Sequence, residues 1–77
     1  MEQKLEKNGR ITIDPNVMVG KPVIKGTRIP VYVVLNQLGE GLTFEEIMRQ
    51  YPDLTKQDIL AAIKFAGRLT NFEEVEA

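Results

Sequence analysis

The chain contains no histidine, no cysteine and no serine. These absences remove the commonest general base and most of the usual nucleophiles, leaving Thr, Tyr, Lys and carboxylates. Zinc sites made from His and Cys cannot form. Disulfides and thiolate metal centres are excluded with them. No cluster of Asp and Glu has the spacing of a calcium loop. The composition points away from an enzyme and calls for no metal and no cofactor. Long apolar runs are also lacking, so no membrane span is expected. Residues 1–7 have no apolar centre of a signal peptide, and a cytoplasmic protein is the expectation.

What is present fits one small domain. A chain of 77 residues buries only about 60% of the surface it exposes when unfolded. Its core is thin, so a partner or a second copy would stabilise it. A homodimer is expected, with the front strands at or near the interface, because the edges of short strands need covering. The net charge of −1 is unevenly spread. Residues 1–30 carry six cations against Glu2, Glu6 and Asp14, a balance of +3. Residues 31–77 carry four cations against eight carboxylates, a balance of −4. Either the domain has two different surfaces or the charges simply dress solvated faces.

Along the chain, residues 1–9 are polar and read as a flexible N-terminus. Arg10-Ile11-Thr12-Ile13 alternates as a short strand, and Asp14-Pro15-Asn16 breaks it. Pro22-Val23-Ile24 and Arg28-Ile29 flank Lys25-Gly26-Thr27, which suits a tight β-hairpin. Pro30 fits the first turn of a helix. Val31, Val34, Leu35 and Leu38 then fall on one helical face, although the β-branched run Val31–Val34 also favours strand. Gly39 and Gly41 close this helix.

Thr43 and Glu46 form a capping box for a second helix, whose apolar face is Phe44, Ile47, Met48 and Tyr51. Pro52-Asp53-Leu54 stops it. Thr55 with Asp58 repeats the cap for a third helix, apolar over a wide arc from Ile59 to Leu69. The expected core holds Val31, Val34, Leu35, Leu38, Phe44, Ile47, Met48, Ile59, Ile63 and Ala66. The domain is predicted to cover residues 10–69, with an acidic tail over 70–77.

Two capped helices joined by so short a turn read as a helix-turn-helix. The third helix is then the recognition helix, with Gln57, Ala61, Lys64 and Arg68 as its polar stripe and Thr55 and Lys56 at its start. Gln can pair with adenine, Lys can reach guanine or phosphate, and Ala can touch a thymine methyl. Against this, any three-helix bundle has a solvated stripe, and the acidic second half opposes non-specific DNA affinity. Lys21, Lys25 and Arg28 could meet DNA phosphates from the hairpin, or guard an edge that pairs with another chain. The spacing of Gly20 and Gly26 fits no phosphate-binding loop. In the tail, Phe72 and Val75 between carboxylates could dock on a basic partner, or the tail could be a disordered end.

Four strings carry a resemblance. They are Arg10-Ile11-Thr12-Ile13-Asp14-Pro15, then Gly20-Lys21-Pro22-Val23-Ile24-Lys25-Gly26-Thr27-Arg28-Ile29-Pro30-Val31, then Gly41-Leu42-Thr43 with Tyr51-Pro52-Asp53-Leu54-Thr55. Over residues 10–69 the chain resembles the domain-of-unknown-function family number 433. The resemblance implies a mainly α, homeodomain-like three-helix bundle with a helix-turn-helix and a short N-terminal β-hairpin. It also implies a DNA-binding antitoxin and autorepressor that neutralises a ribonuclease toxin of the PIN type. The competing reading is a protein-interaction module on the same fold that does not touch DNA. One departure from the family pattern is Val19, where many members carry a second glycine before Gly20; a stiffer connector is expected there.

Overall fold

The computed structural model describes residues 3–4, 9–16 and 20–70. Three short strands, β1 (Gln3–Lys4), β2 (Ile11–Ile13) and β3 (Pro22–Ile24), precede three helices, α1 (Val31–Gly39), α2 (Phe44–Gln50) and α3 (Lys56–Leu69). The strands form one antiparallel sheet in the order β1-β2-β3. The fold is mainly α, as expected, and the β element sits in front of it. Most of the 1–9 segment, the connector residue Val19 and the tail beyond residue 70 lie outside the described residues. The Gln3–Lys4 pair is described, and it is strand. No helix among the described residues is long and apolar enough to cross a membrane.

The strand pairing differs from the expected hairpin. Pro22–Ile24 pairs with Ile11–Ile13, in the register Ile11 to Ile24, Thr12 to Val23 and Ile13 to Pro22. The return segment Arg28-Ile29 forms no strand. It is held by the Ile24 N–H donating to the Ile29 carbonyl at 3.0 Å, with a single bridge between Val23 and Pro30. Local chemistry explains this. The Thr27 hydroxyl donates to the Ile24 carbonyl at 2.8 Å and accepts from the Ile29 N–H at 3.0 Å, which curls the segment into a turn. Gly26 takes the positive φ of 83° that this turn needs. Ile11 and Ile24 are opposite one another and fully buried, so the β2–β3 pair contributes directly to the core.

Val31–Gly39 is helical despite its β-branched start. Tertiary burial decides this: Val31 and Val34 are buried in the cluster with Ile11, Ile24, Ile59 and Phe65. Pro30 is the N-cap, with φ −68° and ψ 147°, one position earlier than the expected first turn. The C-terminus of α1 closes through two reversed hydrogen bonds. Gly41 N–H donates to the Leu38 carbonyl at 3.0 Å and Leu42 N–H to the Gln37 carbonyl at 3.1 Å. This is a Schellman closure, and Gly41 sits at its left-handed position with φ 97°. Among the described residues beyond its chain neighbours, no atom lies within 4 Å of where a Cβ would stand there, so a substitution meets backbone strain and no clash. Gly41→Ala should therefore cost about 1 kcal/mol and lower the thermal midpoint by about 4–8 °C. Gly41→Asn should lose less, because asparagine tolerates this conformation. Thermal unfolding followed by circular dichroism checks both.

The second and third helices are both opened by capping boxes. Glu46 N–H donates to Thr43 Oγ1 at 3.1 Å while Thr43 N–H donates to Glu46 Oε1 at 2.8 Å. Asp58 N–H donates to Thr55 Oγ1 at 3.1 Å while Thr55 N–H donates to Asp58 Oδ2 at 3.0 Å. Between them Leu54 N–H donates to the Tyr51 carbonyl at 2.9 Å, closing a turn with Pro52 at its second position. Leu54 is itself buried and anchors the turn to the core. The second oxygen of Asp58 accepts from Arg10 Nη1 at 2.9 Å, tying the start of α3 to the start of β2.

The expected core is right at Val31, Val34, Ile47 and Ile59, and Leu35, Leu38, Phe44 and Met48 pack against it half-buried. It is wrong at Ile63, which is 40% exposed, and Ala66 is only partly buried. Ala61, Ala62 and Phe65 fill the space instead, with Leu54, Ile11 and Ile24. The physical reason is that α3 packs on α1, α2 and β2 along one side, where small alanines let the backbones approach. Its other side is left to solvent.

Candidate nucleic-acid interface

The solvent side of α3 is the prominent feature outside the core. Thr55, Lys56, Gln57, Lys64 and Arg68 are all exposed, as expected from their spacing. Ala61 is a correction. It is 3% exposed and faces the core, so it cannot touch a base. Its place on the surface is taken by Leu60 and Ile63, which stand between the cations. The carboxylate of α3, Asp58, is buried and spent on the cap and on Arg10. Every exposed formal charge of α3 is therefore positive. The face can meet phosphate with Lys56, Lys64 and Arg68, offer an amide to a base edge with Gln57, and offer apolar contact with Leu60 and Ile63.

The three cations of the front segment do not act together. Lys21 lies with its Nζ 5.1 Å from the centre of the Tyr32 ring, at the edge of an apolar groove of about 300 Å³ between α1 and the end of α3. Lys25 is exposed on the turn after β3. Arg28 lines a different groove, of about 610 Å³, formed by residues 26–29 and residues 50–53. Of the three, Arg28 is beside the α2–α3 turn and so nearest in the fold to a helix-turn-helix surface. That groove also brings together two of the segments that carry the family resemblance, Gly26-Thr27-Arg28 and Tyr51-Pro52-Asp53. Phe72 and Val75, the expected partner-binding residues, lie outside the described residues.

Sequence reasoning missed Leu60 and Ile63 as surface residues. A helical wheel centred on Ile59, Ala62 and Phe65, with Asp58 turned inward to its cap, would have found them. The missing signal was that alanine can mark the buried side of a helix as readily as the solvated one.

The fold is that of a small mainly helical domain, three helices behind a short antiparallel β element. Residues 11–66 match the family model described as protein of unknown function DUF433, and the chain belongs to that family. The crystal structure of a DUF433 member from Anabaena variabilis is similar, with a TM-score of 0.73 and 34% identity over 77% of this chain and 58% of that one. An uncharacterised protein of Sinorhizobium fredii, y4eO, is 34% identical over 56 residues, 73% of this chain and 25% of that protein. An uncharacterised protein of Archaeoglobus fulgidus is 77% identical over 22 residues, 29% of this chain and 61% of that protein. The chain thus spans about a quarter of the Sinorhizobium protein's length and less than two thirds of the Archaeoglobus protein's.

Proposed function

We propose that this domain binds duplex DNA through the solvent side of α3, as the antitoxin and autorepressor of a toxin–antitoxin pair whose toxin is a PIN-like ribonuclease. The observation that carries the DNA reading is the charge of that face: its cations are outward and its carboxylate is buried. A single module of this size contacts few base pairs, so an operator with two half-sites is expected. The antitoxin role rests on the family resemblance. A mobility-shift titration against the DNA upstream of the protein's own gene tests the reading. No shift at low salt, with or without the product of the neighbouring gene, sinks it.

A specific observation favours a second reading. Leu60 and Ile63 are 37% and 40% exposed in the middle of the same face. An apolar centre with a cationic rim also suits an acidic–apolar segment of a partner protein. Leu60→Asp with Ile63→Asp separates the two. Both positions are surface-exposed, so the thermal midpoint should hold nearly constant. On this second reading the substitutions abolish association with the neighbouring gene product, and no DNA binding is seen in the unaltered chain.

A further inference from the structure

The groove of about 610 Å³ between residues 26–29 and residues 50–53 has no part in the DNA reading of α3. Its lining includes two formal charges of opposite sign, Arg28 and Asp53. Both are exposed. Among the described residues neither side chain makes a hydrogen bond or an ion pair, not even with the other. Between them stand Ile29 and Tyr51, half-buried and packed against the core. Gln50 accepts from Gln37 Nε2 at 3.0 Å, which leaves its own amide N–H groups as donors.

The fold accounts for the neighbours of the two charges but not for the charges. Gly26 supplies a positive φ, and the Thr27 hydroxyl closes the turn after β3. Leu54 is buried, and Thr55 caps α3. The Tyr51–Leu54 turn closes through backbone atoms and leaves the Asp53 carboxylate unbonded. All these positions belong to the two strings of the family resemblance that meet at this groove. Within those strings Arg28 and Asp53 hold no part of the fold together.

We infer that this groove binds a small zwitterion of the amino-acid or short-peptide class, its carboxylate on Arg28 and its ammonium on Asp53. The pair of charges selects the occupant. A phosphate drawn to Arg28 is repelled by Asp53, and a polyamine drawn to Asp53 is repelled by Arg28. A ligand with one charge of each sign meets both residues favourably. The guanidinium can take a carboxylate through two parallel N–H bonds, and an ammonium can donate to the Asp53 carboxylate. The volume lies in the range of small-molecule sites, about 300–1,000 Å³. It leaves room for an aromatic side chain against the Tyr51 ring.

Amide nuclear magnetic resonance of the isotope-labelled full chain, without DNA, tests this. The probes are phenylalanine, glycyl-phenylalanine and glycyl-glycyl-phenylalanine, which carry the two charges at increasing spans and so separate a free amino acid from a peptide. At least one should move the amide signals of Thr27, Arg28, Gln50 and Asp53, with a Kd of about 1 mM. Masking either charge of that probe, by N-acetylation or by C-terminal amidation, should weaken it about fivefold, as expected of exposed ion pairs. Asp53→Asn should weaken the intact probe by the same factor and leave its N-acetyl form unchanged. Arg28→Gln should weaken the intact probe likewise and leave its C-terminal amide unchanged. Both positions are exposed, so each variant should keep a dispersed spectrum. If one does not fold, the masked probes decide the outcome on the unaltered chain. No shift at the groove with any of the three probes overturns the inference, as do shifts confined to other residues. An N-acetyl form that binds as tightly as the intact probe overturns it in favour of a plain anion site, and an equally tight amide form in favour of a cation site. Lys64 and Arg68 do not line this groove, so this result and the DNA reading stand or fall separately.

Discussion

Asp58→Ala should destabilise the domain by about 2–3 kcal/mol, with a thermal midpoint lower by about 10–20 °C. One buried carboxylate holds two structures together. Its Oδ2 accepts from the Thr55 N–H at 3.0 Å, and its Oδ1 accepts from Arg10 at 2.9 Å. A hydrogen bond to a charged group contributes about 1.5–3 kcal/mol where the site is shielded from water. The cap bond qualifies, because Asp58 is 7% exposed. The Arg10 bond counts for less, about 0–1 kcal/mol, since the Arg10 side chain is 39% exposed and competes with solvent. Arg10→Ala should accordingly cost under about 1 kcal/mol. Asp58→Asn should fall between the two, because it keeps an acceptor and loses the charge. The total stability of a domain this small is only about 4–11 kcal/mol, so the alanine variant removes a large part of it. Chemical denaturation of the three variants measures the ordering. If Asp58→Ala melts within a degree or two of the unaltered chain, the cap does not hold α3 in place. The consequence reaches the candidate interface, because the same cap fixes Thr55, Lys56 and Gln57 at the start of the helix.

Asp58 also shows what a sequence can and cannot reveal. Its cap was legible because Thr55 and Asp58 are three residues apart, and a capping box is a local pattern. Its bond to Arg10 was not legible, because 48 positions separate the partners. The same division runs through the molecule. Thr43 with Glu46, Gly41 at the end of α1 and the Tyr51–Leu54 turn all act within a few residues and could be read directly. The pairing of Pro22–Ile24 depends on which of two short segments offers the better ladder. Ile11–Ile13 won because Ile11 could be buried against Ile24, while Thr27 drew the other candidate into a turn. The candidate interface was half legible. Lys56, Gln57, Lys64 and Arg68 emerged from spacing, but Ala61 and Ile63 exchanged roles. Both are apolar, and their sides of α3 are decided by where β2 and α1 press on the helix.

Lys64→Ala combined with Arg68→Ala should weaken DNA binding by about 60-fold at 0.1 M salt, if both cations neutralise phosphates. The two residues are one helical turn apart on the exposed side of α3, so one strand of a duplex can pass both. Each lost phosphate contact removes one released counterion, and the slope of log affinity against log salt should fall by about 1.8. The loss should be nearly the same for every DNA sequence, because phosphate contacts position the protein without reading bases. Gln57→Ala should behave differently. It should leave the salt slope unchanged and flatten the preference at one base pair by about 1–3 kcal/mol. Fluorescence-anisotropy titrations at several salt concentrations distinguish these outcomes. If the double substitution leaves both affinity and slope unchanged, the cations of α3 do not face DNA. Should Leu60→Asp with Ile63→Asp then abolish association with the neighbouring gene product, the face is a protein-docking surface whose lysines meet carboxylates in place of phosphates.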